Sequence, residues 1–192
     1  TGGTIHIVVN NQIVFTTGAQ TDKTLNIPGE DLEGSHPATD FVAWYNGHPD
    51  YADLRFHLES ESAAVIGLGN VAVDVARILC RTHEELKATD IADHALEALQ
   101  ESRVRDVYML GRRGPAQAAF TAPEIQAMGE LPGADVTVAP EEAELDEASR
   151  AAMEAAQDKD VTKKVGIVQE FASREPEGKQ RRLTIRFLVS PK

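Results

Sequence analysis

A glycine turn at residues 67–72 has the composition of a site for a phosphate-bearing ligand. Gly67 permits a tight turn between a strand and a helix, and Gly69 lacks a side chain, so backbone N–H groups can approach a pyrophosphate. Ala72 is small enough to let the helix pack closely against the strand. Asn70 and Val71 open the helix, whose N-terminus offers N–H donors and a partial positive charge. We expect these five residues to form a dinucleotide-binding turn.

Two consecutive arginines, Arg112 and Arg113, end a second apolar run and indicate which dinucleotide the turn would bind. At this position a site for NAD carries Asp or Glu, whose carboxylate binds the ribose hydroxyls. Guanidinium groups instead form charge-assisted hydrogen bonds with a 2′-phosphate. The alternative is that both are surface arginines that merely end a strand. Together with the glycine turn, the pair predicts a site for NADP(H).

Glu124 is open to two interpretations. Thr121 precedes it by three positions, which is the spacing of a capping box in which Glu124 would bond the start of its own helix. The other interpretation is a contact to the cofactor, and the residue types alone do not choose between the two. Asp74 and Arg77, one turn into the helix after the glycine turn, are spaced for an ion pair or for contacts to other segments.

The elements that must carry these residues follow from the spacing of apolar positions. Residues 63–66 and 104–110 predict strands, and residues 70–81 predict the helix that follows the turn. Alternating strands and helices are typical of an α/β fold. Two β-rich runs, 5–9 and 12–15, flank a turn predicted at Asn10 and Asn11. Further helices are predicted at 39–45, at 91–101, from residue 121 onward and, on the surface, at 141–160. A capping box is predicted at Thr82 and Glu85. Further strands are predicted at 135–138, 163–171 and 182–189.

The composition restricts the partners and the compartment. With 31 acidic and 19 basic residues the formal net charge is -12, which argues against binding to nucleic acid. No apolar run approaches the roughly 20 residues needed to span a bilayer. The single cysteine, Cys80, fits a buried thiol in a reducing compartment, so we expect a cytoplasmic protein. The six histidines do not fall at zinc-ligand spacing, and we assign no metal site.

From about Gly18 onward the chain resembles the NADP-binding domain of ferredoxin–NADP(+) reductases of the adrenodoxin reductase type. The resemblance implies a Rossmann-like NADP-binding domain of the two-dinucleotide flavoprotein type, from which the FAD domain is largely absent. The segments that carry it are Asn26-Ile27-Pro28-Gly29-Glu30, Phe41-Val42-Ala43-Trp44-Tyr45-Asn46-Gly47, Gly69-Asn70-Val71-Ala72-Val73-Asp74-Val75-Ala76-Arg77, Ser102-Arg103-Val104 and Gly111-Arg112-Arg113-Gly114-Pro115-Ala116-Gln117-Ala118-Ala119-Phe120-Thr121.

The resemblance implies an oxidoreductase in which NADPH passes a hydride to FAD, and the flavin passes electrons to a ferredoxin-like iron–sulfur protein. Asn70 and Val71 would contact the pyrophosphate, Arg112 and Arg113 the 2′-phosphate, and Glu124 the ribose on the adenosine side. An acidic ferredoxin would need a basic surface. The clustered candidates for such a surface are Lys163, Lys164, Lys179, Arg181 and Arg182.

Two departures from the family pattern bear on activity. Ala127 stands where the family tends to carry a second acidic residue near the nicotinamide, so we assign no catalytic residue. The glycine fingerprint for FAD is missing, as is the segment that closes over the flavin. The expectation is therefore the NADP(H)-binding part of a flavoprotein oxidoreductase, and the alternative is a catalytically inactive NADP-binding fragment or fusion.

Residues 1–17 resemble a different family, the thiamine-site strand of 2-oxoglutarate dehydrogenase E1. The segment Thr1-Gly2-Gly3-Thr4-Ile5-His6-Ile7-Val8-Val9-Asn10-Asn11-Gln12-Ile13 carries this resemblance. Alternatively, Ile13–Ala19 is the usual strand of the reductase family that ends in a Thr-Gly-Ala turn, which makes residues 1–17 a remnant strand of the FAD domain. We therefore divide the chain into residues 1–17, a connection at 18–61 and an NADP(H)-binding domain at 62–192.

Overall fold

A computed structural model of the chain describes residues 24–190 and, as backbone alone, two short strands, β1 (His6–Val9) and β2 (Gln12–Phe15). These two strands pair antiparallel, with His6 opposite Phe15, so both predicted β runs form strands. The turn predicted at Asn10 and Asn11 lies outside the described residues, as does most of the E1-like segment.

A four-stranded parallel sheet forms the centre of the described structure. Its strands are β3 (Ser62–Ile66), β4 (Asp106–Leu110), β5 (Ala134–Val138) and β6 (Arg181–Arg186). The spatial order is β3-β4-β6-β5, and each neighbouring pair runs parallel. Parallel neighbours need crossover connections, and the helices between the strands provide them. This architecture confirms the α/β fold predicted from the sequence.

Within residues 24–190, eight α-helices surround or connect these strands. Between β5 and β6, two helices lie before a third, which runs back along the sheet. Two single turns of 3-10 helix occur at Pro49–Tyr51 and Pro115–Gln117. The α-helices are α1 (Ala38–Tyr45), α2 (Asn70–Cys80), α3 (His83–Lys87), α4 (Asp93–Gln100), α5 (Ala122–Met128), α6 (Pro140–Ala143), α7 (Glu147–Ala156) and α8 (Lys159–Ser173).

One face of the sheet carries the hydrophobic core. Val65, Met109, Ile185 and Val138 lie side by side in register across the four strands, and all four are buried. Helix α2 packs against β3, β4 and β6, and α8 packs against β5. The opposite face is more open, since strand residues point alternately to the two sides and those of β3, β4 and β6 on this face are half-buried or exposed.

Most predicted elements appear within a few residues of their predicted bounds. The capping box is present as predicted, with the Thr82 hydroxyl accepting from Glu85 N and the Glu85 carboxylate accepting from Thr82 N. The surface helix predicted at 141–160 is divided into α6, α7 and the start of α8. Helix α7 has no buried residue, in keeping with a solvated element. Its C-cap is Gln157, whose φ of 50° is left-handed.

The strand predicted at residues 163–171 is wrong, because these residues lie within α8. Asp158 starts this helix by accepting hydrogen bonds from Asp160 N and Val161 N. The β-branched residues of the segment favour a strand locally, but tertiary packing outweighs that preference. The buried residues recur at helical spacing against the core, namely Lys164, Val165, Ile167, Val168 and Phe171.

Candidate functional site

The glycine turn lies at the carboxyl end of β3 and has the backbone geometry that the sequence predicts. Gly67 has φ +133°, a conformation that residues with a Cβ rarely adopt. Its N–H donates to Leu110 O at 2.8 Å, so the turn stays joined to β4 beyond the last paired residues. A Cβ placed on Gly67 would lie 3.9 Å from the Cβ of Ala72, which is buried. A small residue at position 72 therefore lets α2 approach the turn.

Gly69 contributes open space to the site and does not need an unusual backbone conformation. It is the N-cap of α2 with φ -105°, which any residue can adopt. A Cβ added there would meet no protein atom within 4 Å, so the volume above the turn is open. No side chain in the described part of the chain caps this helix, and Val73 N donates to Gly69 O at 3.0 Å. The N–H groups of the first turn thus face an open volume, as an anion site requires.

Leu68, between the two glycines, is a structural residue of the turn that the sequence reasoning missed. It is buried, and its carbonyl oxygen accepts from Ala119 N and Phe120 N, each at 2.9 Å. A Cβ on Gly111 would overlap Leu68 Cδ1 and lie 2.5 Å from Leu68 Cγ. The only sequence signal for this contact was a glycine directly after an apolar strand.

Arg112 and Arg113 lie at the same edge of the sheet, directly after β4. Gly111 N donates to Arg186 O at 2.9 Å, and Leu188 N donates to Arg113 O at 3.4 Å, which fixes the backbone of the pair. Both arginines are exposed. Within residues 24–190 neither guanidinium forms an ion pair or a hydrogen bond. The structure therefore brings two unneutralised cations to the edge that carries the glycine turn.

Asn70 joins the N-termini of two helices. Its Oδ1 accepts from Thr121 N at 3.0 Å, which connects the start of α2 to the N-cap of α5. The capping-box interpretation of Glu124 is wrong, because the Thr121 side chain makes no capping bond and the Glu124 carboxylate bonds elsewhere. Ala122 N donates instead to Asp160 Oδ1 at 3.0 Å. The N-terminus of α5 is thus held by side chains from two other helices.

The Glu124 carboxylate bonds Arg77 on α2. Arg77 Nη1 also donates to Asp74 Oδ1 at 2.9 Å, so both contacts considered for Arg77 are present. Burial raises the pKa of Asp74, and the charge of Glu124 adds to the rise while Arg77 opposes it. Burial also raises the pKa of Tyr45, again with a contribution from Asp74. One guanidinium therefore holds two carboxylates that would repel each other without it.

The basic residues considered for partner docking do not form one exposed patch. Lys164 is buried, and its Nζ donates to Ala118 O at 2.6 Å. Arg181 is also buried and bonds backbone carbonyl oxygens. Arg182 is exposed but is paired with Asp106 at 2.6 Å. These cations serve the fold, and sequence proximity gave a false impression of a surface cluster.

The remaining features considered are the single cysteine, potential metal ligands and membrane-spanning helices. Cys80 is buried, and burial raises the pKa of its thiol to about 12, so it lacks reactive thiolate character. Among the described residues there is no group of three or more His, Cys, Asp or Glu side chains placed to hold a metal ion. No helix in that part of the chain has the length and apolar character needed to cross a membrane.

Comparisons with known proteins identify relatives that match most of this chain. NADPH-ferredoxin reductase FprA of Mycobacterium tuberculosis is 47% identical over 179 residues, which is 93% of this chain and 39% of FprA. Mitochondrial NADPH:adrenodoxin oxidoreductase of Arabidopsis thaliana is 58% identical over 115 residues, or 59% of this chain and 24% of that protein. No family model matches the chain.

A solved structure supports the same relationship at the level of the fold. The structure of Mycobacterium tuberculosis FprA in complex with NADPH superposes with a TM-score of 0.84 and 46% identity, covering 91% of this chain and 38% of that one. The chain spans about 39% of the length of FprA. It is homologous to the NADP-binding part of ferredoxin–NADP(+) reductases of the adrenodoxin reductase type.

Proposed function

We propose that this chain is the NADP(H)-binding part of a flavoprotein oxidoreductase. The observation that carries the proposal is the pairing, at one sheet edge, of an uncapped helix N-terminus with two exposed arginines whose guanidinium groups have no partner among the described residues. A pyrophosphate and a 2′-phosphate are the two anionic groups of NADP(H), and this edge offers a separate donor set for each. The name of the solved FprA complex, which contains NADPH, supports the same ligand.

Each residue of the site has a proposed task in binding. The backbone N–H groups at Asn70 and Val71 donate to the pyrophosphate, and the missing side chain of Gly69 allows that approach. Arg112 and Arg113 form charge-assisted hydrogen bonds with the 2′-phosphate. The same contacts are unavailable to NADH, which carries a hydroxyl at that position. The site should therefore prefer NADPH over NADH.

Glu124 is proposed to contact the ribose on the adenosine side of the cofactor. Its carboxylate is held by Arg77 and is partly exposed, so an oxygen remains available to accept a hydrogen bond from a hydroxyl group. The carboxylate lies on α5, whose N-cap is bonded to Asn70 of the glycine turn. Glu124 therefore belongs to an element that is tied directly to the proposed pyrophosphate site.

We propose that the described residues bind one dinucleotide. They contain one unit of strand, glycine turn and helix, formed by β3 and α2, and its features match NADP(H). We propose that FAD, which takes the hydride in this type of enzyme, is bound by other parts of the longer reductases that this chain resembles. A ferredoxin-like iron–sulfur protein is the proposed electron partner, supported by the names of the relatives.

Titration of the purified chain with NADPH tests the binding proposal. We expect saturable binding in isothermal titration calorimetry. Heats that stay at the level of dilution would overturn the proposal.

The visible absorption spectrum of the same preparation distinguishes a chain that carries its own flavin from one that only binds NADP(H). We expect no flavin absorbance, because the described residues contain a single unit of strand, glycine turn and helix, whereas a stoichiometric flavin spectrum would show that this chain alone carries both cofactors.

A further inference from the structure

An exposed leucine lies directly beside the arginine pair. Leu188 follows β6, has 67% of its surface exposed, and donates its N–H to Arg113 O at 3.4 Å. We infer that Leu188 forms an apolar wall for the adenine ring of NADP(H). The inference rests on the proposed function and adds a residue that recognises the base to the residues that recognise the phosphates.

The position of Leu188 is fixed by the loop that also fixes the arginines. The next residue, Val189, donates its N–H to Gly111 O at 3.0 Å, so the segment after β6 continues alongside the segment after β4. Leu188 has φ +58°, in the left-handed region that a bulky residue rarely occupies. The left-handed conformation turns the chain at Leu188, and the leucine side chain remains exposed to solvent. Exposure of an apolar side chain at this edge leaves it available to a ligand.

The covalent structure of NADP(H) places adenine next to the 2′-phosphate. The phosphate is carried by C2′ of the ribose and the base by the adjacent C1′. A ligand whose phosphate is held by Arg112 or Arg113 therefore presents its base close by. The faces of adenine are flat and weakly hydrated, so contact with a leucine removes apolar surface of both partners from water. Leu188 is the exposed leucine hydrogen-bonded to this pair.

The distribution of exposed apolar side chains supports this assignment. Large exposed hydrophobic side chains are few in the described residues, and three of them border the proposed site. Ile66 ends β3 and Val71 opens α2 at the glycine turn, whereas Leu188 adjoins the arginines. Such an arrangement resembles the lining of a ligand site, in which apolar walls surround a few polar anchors.

The substitution Leu188→Asn tests the inference without adding charge. Asparagine tolerates the left-handed backbone and removes the apolar surface. Leu32→Asn is the matched control, because Leu32 is 68% exposed and lies in the segment before α1. We expect Leu188→Asn to weaken the binding of NADPH and of adenosine 2′,5′-bisphosphate about fivefold or more, measured by calorimetry. The control should change both affinities by less than about twofold.

Pyrophosphate as a competitor makes the result specific to the base. Because pyrophosphate has no adenine, its competition with NADPH should show the same affinity in the wild-type chain and in Leu188→Asn. Equal NADPH affinity in the two proteins would overturn the inference, as would an equal loss for pyrophosphate. If the wild-type chain binds neither NADPH nor the bisphosphate, the proposed function itself fails. These outcomes separate the two claims.

Discussion

At the residue scale, the two glycines of the turn act for different physical reasons. Gly67 supplies a positive φ that lets β3 turn into α2, whereas Gly69 has an ordinary φ and supplies open space. The sequence motif already assigns Gly67 to the tight turn and Gly69 to the close approach of the ligand. The structure separates them, because substitution of Gly67 strains the backbone and substitution of Gly69 fills the volume where we place the pyrophosphate.

The substitution Gly69→Ala should therefore separate binding from folding. We expect NADPH affinity to fall about tenfold or more, because the added methyl group blocks the backbone approach. The free energy of unfolding should change by about 1 kcal/mol or less, since the methyl group meets no protein atom. Calorimetry and urea unfolding measure the two quantities.

Gly166→Ala is the matched control for that experiment. Gly166 lies within α8, and a Cβ there also meets nothing within 4 Å. The substitution should leave NADPH affinity unchanged and raise the free energy of unfolding by about 0.5–1 kcal/mol, because alanine favours the helix. If Gly69→Ala bound NADPH as tightly as the control, the position of the pyrophosphate would be wrong.

At the scale of elements, the site depends on two helices that are joined at two places. Asn70 bonds the N-cap of α5, and about two turns further along α2 the guanidinium of Arg77 holds Glu124. The side-chain exposure is 18% for Arg77 and 37% for Glu124, so water screens the ion pair only in part. We infer that this connection keeps the N-termini of α2 and α5 together.

A double-mutant cycle on Arg77→Met and Glu124→Gln tests that connection. Arg77→Met should be the more destabilising change, because it leaves Asp74 and Glu124 as like charges without their common partner. The coupling energy between the two sites should be about 1 kcal/mol, a value reduced by partial solvent exposure. Urea unfolding of the four proteins measures it. Additive effects would contradict a direct interaction between α2 and α5 through this pair.

The elements that the sequence predicted correctly are those whose signals are local. The apolar run of β3, the glycine turn and the helical face of α2 lie within 20 residues of one another, and the capping box at Thr82 and Glu85 is local too. Helix α8 was mistaken for a strand because its β-branched residues alternate, and only packing against the sheet selects the helix. Its buried Lys164 also had no local signal.

The parts of the site that escaped prediction depend on contacts between distant residues. The arginine pair was predicted, but the contact of Leu68 with Gly111 brings together residues from different strand ends. Arg77 and Glu124, which pair across two helices, are 47 positions apart in the sequence. A capping box was equally compatible with the spacing of Glu124. Tertiary packing decides between such alternative contacts, and the local spacing of residues does not reveal the outcome.

At the scale of the whole molecule, charge distinguishes the arginine pair from the rest of the chain. The formal net charge is -12, and several other arginines are already engaged with carboxylates or carbonyl oxygens, as Arg77, Arg182 and Arg186 show. An unpaired pair of cations is then a local attraction for an anionic ligand on an acidic protein. We therefore propose that recognition of the 2′-phosphate depends on two side chains rather than on a broad basic surface.

The acid stability of the fold should depend measurably on Asp135. Burial alone would raise the pKa of this carboxyl group, but hydrogen bonds from the N–H groups of Lys179, Glu177 and Gly178 outweigh burial and lower the pKa. A lowered folded-state pKa contributes stability above the unfolded value of about 4, and the contribution is lost as the pH falls through the folded value.

Asp135→Asn should therefore reduce the free energy of unfolding by about 1–2 kcal/mol at pH 7 and by less near about pH 3. Urea unfolding at both pH values measures the difference from the wild-type chain. Asp53→Asn is the control, since Asp53 is exposed and accepts no hydrogen bond among the described residues. An equal loss at both pH values would contradict a role for the ionised form of Asp135.

The preference for NADPH over NADH tests the central claim most directly. Calorimetric titration of the wild-type chain and of the double variant Arg112→Ala/Arg113→Ala gives the ratio of the two affinities. Each charge-assisted contact is worth about 1.5–3 kcal/mol, so the preference should fall about tenfold or more per arginine. The account predicts strong NADPH preference in the wild type and its loss in the double variant. Equal wild-type affinities for NADPH and NADH would contradict it.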